Sequence, residues 1–122
     1  MFDLTGKCAL VTGATGGIGA AIARVLHSAG ASVALSGTRA AVLEDLAGAL
    51  GERAFAVPCN LADAADVERL VPAAEAALGK IDILVNNAGI TRDNITMRMK
   101  DEEWQAVLDV NLTAAFRLSR AV

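Results

Sequence analysis

Thr12-Gly13-Ala14-Thr15-Gly16-Gly17-Ile18-Gly19 is a glycine-rich turn that follows a continuous apolar run, Cys8-Ala9-Leu10-Val11, and opens a helical pattern near Gly17. Glycines reach backbone angles that other residues avoid and let the main chain come close to a ligand. The first N–H groups of a helix lack partners inside it and point at any bound anion, with the positive end of the helix dipole behind them. Such a turn is an anion cradle, unless its glycines serve tight packing alone.

Outward from the turn, short apolar runs recur at Cys8 to Val11, Val33 to Leu35, Ala54 to Val57 and Ile83 to Val85. Each is too short for a helix, and continuous rather than alternating apolarity fits parallel strands covered on both faces. Between them lie segments with helical spacing: Ile18, Ile22, Val25, Leu26; then Val42, Leu43, Leu46, Leu50; then Val67, Leu70, Val71, Ala74, Leu78. The alternation β-α-β-α-β-α-β predicts an α/β fold with a doubly wound, Rossmann-like parallel sheet, four strands in the order 3-2-1-4 flanked by helices. Gly30, Gly51 and Gly79 mark helix ends, and Asp63 or Asp66 caps the third helix. Pro58 puts the third strand at the sheet edge, because it has no N–H for a ladder. Pro72 falls inside the third helix, where proline costs roughly 3 kcal/mol, and predicts a kink or a broken turn. A last helix from about Asp101 carries an apolar stripe at Trp104, Leu108, Ala115, Leu118 and Val122. Asn111 falls on that stripe, either holding something through its amide or reaching the rim of the core.

Composition narrows the function classes. The 122 residues are one domain's worth of chain, with a formal charge of -3 and both signs interspersed, so neither a nucleic-acid surface nor a polybasic membrane patch is expected. No apolar run approaches the roughly 18 residues of a membrane span. The start, Met1-Phe2-Asp3-Leu4-Thr5-Gly6-Lys7, lacks a signal-peptide layout, which points to the cytoplasm. Cys8 and Cys59 have no CxxC or Cys/His clustering and are expected as small buried residues. No metal site is expected.

About 20 residues past the turn, where an NAD-binding chain usually carries an acid for the ribose 2′-hydroxyl, this sequence has Ser36-Gly37-Thr38-Arg39. A hydroxyl and a guanidinium suit a 2′-phosphate that an acid would repel, which predicts NADPH as cofactor. Arg39 as a solvated residue of the second helix is the alternative. His27, the only histidine, lies on the first helix near the surface and is given no catalytic part.

Thr12-Gly13-x-x-x-Gly17-x-Gly19 together with Asn86-Asn87-Ala88-Gly89 resembles the classical branch of the short-chain dehydrogenase/reductase family. The run Gly89-Ile90-Thr91-Arg92-Asp93-Asn94 through Met97-Arg98-Met99-Lys100-Asp101-Glu102-Glu103-Trp104 resembles bacterial 3-oxoacyl-[acyl-carrier-protein] reductases. The resemblance covers the whole chain, which corresponds to about the first half of a family member.

The resemblance implies a role for each matching position. Gly13, Ala14, Thr15, Gly16, Gly17, Ile18 and Gly19 hold the cofactor pyrophosphate, Thr38 and Arg39 select the cofactor, and Asn60-Leu61 lies against adenine. Asn87, Ala88 and Gly89 run along the ribose, with Asn86 in the same motif, and Asn111 is the active-site asparagine whose water joins a proton relay. Gly16 departs from NADPH-dependent relatives, which often carry Arg there, so the NADPH expectation rests on Arg39 and the missing acid. Family chemistry passes hydride from nicotinamide to a carbonyl with the help of Ser, Tyr and Lys. This chain contains no tyrosine.

The expectation is therefore a single dinucleotide-binding half, residues 1–122, of an NADPH-dependent 3-oxoacyl-thioester reductase, inactive alone, with acyl carrier protein a partner only of the full-length family. The helical pattern still runs at Val122 with no stop signal, as in a chain cut from something longer. The alternatives are a module that holds a dinucleotide without turnover, and a half-domain that self-associates through its strand-4 edge or helix 4 into a homo-oligomer. Arg92, Arg98 and Lys100 form a solvated loop or face an acidic carrier protein.

Overall fold

The protein is described from a computed structural model that covers residues 3–89 and 98–122. The expected positions Ile90, Thr91, Arg92, Asp93, Asn94 and Met97 lie outside the described residues. The remaining chain forms β1 (Cys8–Val11), α1 (Gly17–Ser28), β2 (Ser32–Leu35), α2 (Ala40–Leu50), β3 (Ala54–Ala56), α3 (Ala64–Leu78), β4 (Ile83–Val85), α4 (Asp101–Leu108), a π-helical turn (Asp109–Thr113) and α5 (Ala114–Ala121). The sheet order is β3-β2-β1-β4, as expected from the sequence, and every neighbour is parallel. The register pairs Leu10 with Ala34 and with Leu84.

Alternate residues of the buried strands feed two cores. Ala9, Val11, Val33 and Leu35 pack with Ala23 of α1 and with Leu43 and Leu46 of α2 on one face. Leu10 and Ala34 pack with Val67, Leu70, Val71 and Ala74 of α3 and with Ala114 and Leu118 of α5 on the other. Cys8 and Cys59 are free, buried thiols. Asp63 caps α3 by accepting from Ala65 N at 2.9 Å and Asp66 N at 3.4 Å. β3 takes the edge that Pro58 predicts. Among the described residues no helix is long and apolar enough to cross a membrane.

Three expectations are corrected. Two residues of the stripe expected on α1 turn outward, Ile18 at 73% and Val25 at 68% exposed, while Ile22 and Leu26 are half-buried and Gly19 and Ala23 face the sheet. Small residues take the inner face because α1 starts hard against the glycine turn, where a side chain at Gly19 would run into Gly13 O. Of the kink or broken turn expected at Pro72, the broken turn is absent, since α3 is helical without interruption from Ala64 to Leu78. Pro72 and Glu68 both lie on the exposed face of α3, where water can serve the Glu68 carbonyl that lacks an N–H partner four residues on. The last helix is not one regular rod. The π-helical turn inserted at Asp109–Thr113 shifts the phase between α4 and α5, so the expected stripe does not form. Leu118 is buried, Leu108 and Ala115 are half-buried, and Trp104, Asn111 and Val122 are exposed.

Thr12 joins the carboxyl ends of β1 and β4. Its Oγ1 donates to Val85 O at 3.2 Å and accepts from Asn87 N and Ala88 N, each at 3.1 Å. Its main-chain N–H donates to Val85 O at 3.1 Å, and Asn87 Nδ2 donates to Thr12 O and Gly13 O, each at 3.3 Å. Removing the hydroxyl strands a half-buried N–H at Ala88. Thr12→Val is expected to lower the unfolding free energy by about 1–3 kcal/mol in denaturant titrations, with Thr12→Ser much closer to the parent. Equal stability of the Val variant and the parent would dismiss this role.

At the opposite end of the sheet Cys8 N–H donates to Asp82 Oδ2 at 2.9 Å, and Lys80 Nζ stands 3.2 Å from the same oxygen. The Cys8 N–H first and Lys80 second hold the Asp82 carboxyl below the usual carboxylate range. Its folded value is lower than its unfolded one, so its stabilising contribution is complete above about pH 4 and fades as pH falls through the lowered value. The stability gap between parent and Asp82→Asn should narrow on acidification from neutral pH, and curves that stay parallel would contradict the assignment.

Candidate functional site

The carboxyl ends of the parallel strands meet where the sheet order reverses, between β1 and β4, the place at which open α/β sheets form a crevice. A cleft of about 320 Å³ opens there. Its walls come from separate loops: Gly13 and Thr15 from the glycine turn, Ser36, Gly37 and Thr38 after β2, Cys59 to Ala62 after β3, and Ala88 and Gly89 after β4, with Val110 of the π-helical turn closing one side. Seven expected site residues are thus brought together: Gly13, Thr15, Thr38, Asn60, Leu61, Ala88 and Gly89.

The remaining expected residues stand around this cleft. Ala14 is buried below it, donating its N–H to Ser36 O at 2.9 Å. Gly16 is the N-cap of α1 and Gly17 its first residue. The first N–H inside α1 to find a helical acceptor is that of Ala20, on Gly16 O at 2.9 Å, which leaves the preceding donors at the turn for another partner. Ile18 points to solvent and Gly19 packs on Gly13. Arg39 is exposed and reaches back over the turn, its Nη2 donating to Thr15 O at 3.2 Å. Asn87 sits behind the wall, its amide spent on Thr12 O and Gly13 O. Asn86 Nδ2 donates to Ser119 Oγ of α5 at 3.2 Å.

The glycines divide their labour. Gly13 has φ +66, and a Cβ there would lie 2.9 Å from Ala88 Cα and 2.9 Å from Asn87 Nδ2, so both its conformation and its neighbours demand glycine. A side chain at Gly17 would meet nothing within 4 Å, and one at Gly16 only Gly13 O at 3.6 Å. Packing accounts for Gly13 and Gly19. Open space at Gly16 and Gly17, beside unpaired helix N–H groups, fits an anionic group held against the backbone.

Asn111 does not line the cleft, and it is exposed rather than set on a buried stripe. Its amide nonetheless faces the cleft rim: a Cβ at Gly89 would stand 3.2 Å from Asn111 Oδ1. His27 lies at the far end of α1, half-buried, with Nε2 2.7 Å from Glu52 O. Burial pushes the Cys59 thiol up, which makes it a poor nucleophile on the cleft wall. Among the described residues no group of His, Cys, Asp and Glu is arranged to hold a metal ion.

Sequence reasoning assigned no site role to Gly37, Cys59, Ala62 and Val110, nor to the hydroxyls of Thr12 and Ser36. Thr12 and Ser36 carried a legible signal, a hydroxyl closing an apolar strand, where it is buried and must find partners. Val110 carried none, because the π-helical turn that presents it has no sequence mark.

The short chain dehydrogenase family matches residues 7–122. Nodulation protein G of Rhizobium sp. (strain N33) is 59% identical over 120 residues, covering 98% of this chain and 49% of that protein. The 3-oxoacyl-[acyl-carrier-protein] reductase of Escherichia coli (strain K12) is 48% identical over 120 residues, with the same coverage of 98% and 49%. The crystal structure of 3-ketoacyl-(acyl-carrier-protein) reductase from Brucella melitensis complexed with NADH superimposes with a TM-score of 0.90 at 37% identity, over 98% of this chain and 49% of that one. The chain spans about half the length of the curated relatives it matches. The strand-turn-helix geometry of the cleft and a match over nearly the whole sequence agree: the chain belongs to the short chain dehydrogenase family.

Proposed function

We propose that residues 1–122 are the dinucleotide-binding half of an NADPH-dependent 3-oxoacyl-thioester reductase, working in the cytoplasm on acyl groups presented by a carrier protein. The observation that carries this reading is the cleft itself. One opening gathers a glycine turn with free helix N–H groups, Thr38 after β2, and the Asn60-Leu61 and Ala88-Gly89 segments, while the Arg39 guanidinium lies on the Thr15 carbonyl beside it. The turn would hold the pyrophosphate, Asn60 and Leu61 the adenine, and Asn87 to Gly89 the ribose. The bound nicotinamide would supply hydride.

Preference for the 2′-phosphate rests on Arg39. Its guanidinium already lies over the turn, no acid occupies the end of β2, and Arg39 forms no ion pair with a described residue. Reduction itself requires a proton donor within hydrogen-bond reach of the carbonyl oxygen. The sequence has no tyrosine, and among the described residues that line the cleft there is no lysine or histidine, while burial makes the Cys59 thiol a reluctant donor. Asn111, beside Gly89, would serve to position a water rather than to donate the proton.

Titration with NADPH and NADH, followed by nicotinamide fluorescence, tests the reading. Saturable binding is expected, tighter for NADPH, and Arg39→Ala should erase that difference at a cost of about tenfold or more in NADPH affinity. No saturation with either nucleotide would remove the proposal. In the same samples, acetoacetyl thioester with NADPH should give no detectable turnover, and a measurable rate would overturn the argument from the missing tyrosine.

A second reading, self-association, is favoured by exposed apolar side chains. Trp104, Leu112 and Phe116 of α4, the π-helical turn and α5 are each more than half exposed, and among the described residues β4 has a strand partner on one side only. We propose that two copies cover each other along this stretch or along the β4 edge. Sedimentation should show a dimer or larger species at micromolar concentration, and a stable monomer would dismiss it.

A further inference from the structure

We infer that the outer face of α1 and α2 is a contact between two copies of this chain, related by a two-fold axis that pairs Arg24 of each copy with Asp45 of the other. These helices cover one face of the sheet and α5 the other, so the contact is separate from the α4–α5 stretch. It does not rest on the dinucleotide reading.

Between α1 and α2 lies a groove of about 290 Å³. Its floor is apolar, with Ala14 and Leu46 buried and Ala20 half-buried. Val42, on the α2 wall, is 38% exposed. Arg24 stands on the α1 wall and Asp45 on the α2 wall. Both are exposed, and among the described residues neither makes an ion pair or a hydrogen bond. Opposite charges thus border one apolar groove without meeting each other.

Ala41, Asp45 and Gly48 recur at i, i+4 and i+7, so they form one ridge of α2, and all three are exposed. Gly48 lies inside α2, and in a helix only proline is less favourable than glycine. The chain's own packing does not call for it, because a Cβ at Gly48 would meet nothing within 4 Å. A ridge this low lets a second helix come close, since the side chains at a contact set the distance between helix axes.

A second copy meets these demands without further assumption. A two-fold axis sets the same patch of both copies face to face, so that residue i meets j and j meets i. One cation and one anion on the patch are then both paired, and no other partner has to bring a matching set. The α2 ridge of each copy would enter the groove of the other, carrying Asp45 to Arg24 and covering Val42. Two helices of 12 and 11 residues offer a surface at the small end for a specific contact, so the dimer is a weak one.

The test is sedimentation of the 122-residue chain at concentrations up to about 0.5 mM, with circular dichroism checking the fold of each variant. The parent should associate reversibly. Arg24→Asp and Asp45→Arg, each of which opposes like charges, should weaken association by about tenfold or more. An equimolar mixture of the two should restore it, because every acid then meets a base. Gly48→Leu, which raises the ridge, should weaken it as well. The restoring mixture reads only the pairing of position 24 with position 45, so association through the α4–α5 stretch or the β4 edge neither produces nor hides it. A monomeric parent, single charge variants that associate as the parent does, or a mixture no stronger than its components overturns the inference. Where a charge variant's circular dichroism departs from the parent's, Gly48→Leu decides, and an unweakened Gly48→Leu overturns the inference.

Discussion

The Thr12 hydroxyl is the contact on which the site depends. Its position in the chain is distant from its partners, yet it binds the carbonyl that ends β4 and the two N–H groups that follow it. A parallel sheet makes this possible: β1 and β4 lie side by side in register, so Val11 and Val85 end together and their loops leave side by side. Asn87 returns the bond by donating its amide to Thr12 O and Gly13 O. The glycine turn and the loop after β4 are in effect one body. Gly13 is the point of closest approach, and any side chain there would meet Ala88.

That union explains why the turn carries more glycines than an anion cradle needs. Gly13 and Gly19 allow the turn to lie against the β4 loop and α1 to start against the turn. Gly16 and Gly17 leave free volume in front of the first helical N–H groups. Each helix-end donor contributes modestly, on the order of 0.3–1 kcal/mol for a charge at an exposed helix terminus. Several such donors held rigid by a shared backbone act together without reorganising, and rigidity is what the Thr12 and Asn87 bonds supply.

Much of this was legible from residue order. Four apolar runs with helical segments between them require a parallel sheet, and Pro58 places β3 at the edge, because proline has no N–H for a second ladder. Gly51, Gly79 and Asp63 mark helix ends through local chemistry that acts within one turn. What escaped was whatever depends on tertiary contact. The stripe Ile18, Ile22, Val25, Leu26 reads as an inner face, but where α1 approaches Gly13 its inner face is Gly19 with Ala23 following, and of the stripe Leu26 packs partly on that core. Pro72 reads as a kink or a broken turn, and the turn stays unbroken on an exposed face where water can take the orphaned carbonyl. Asn111 reads as buried because a regular helix would bury it, and the π-helical turn at Asp109–Thr113 rotates it to the rim beside Gly89.

The cleft walls also bear on stability. Four loops that share few bonds with one another apart from the Thr12 network converge on one opening, and Arg39 on Thr15 O and Ala14 on Ser36 O are the ties between the turn and the β2 end. A ligand seated there touches all four loops and acts as a cross-link that the unfolded chain cannot use. At about a hundredfold excess over its dissociation constant it would add roughly 2.7 kcal/mol, a sizeable part of the stability of an ordinary domain. This chain leaves Ile18, Val25, Trp104, Leu112 and Phe116 largely uncovered, so its own burial contributes less than its apolar content suggests. Holding a ligand in the cleft and holding the fold would therefore draw on the same contacts.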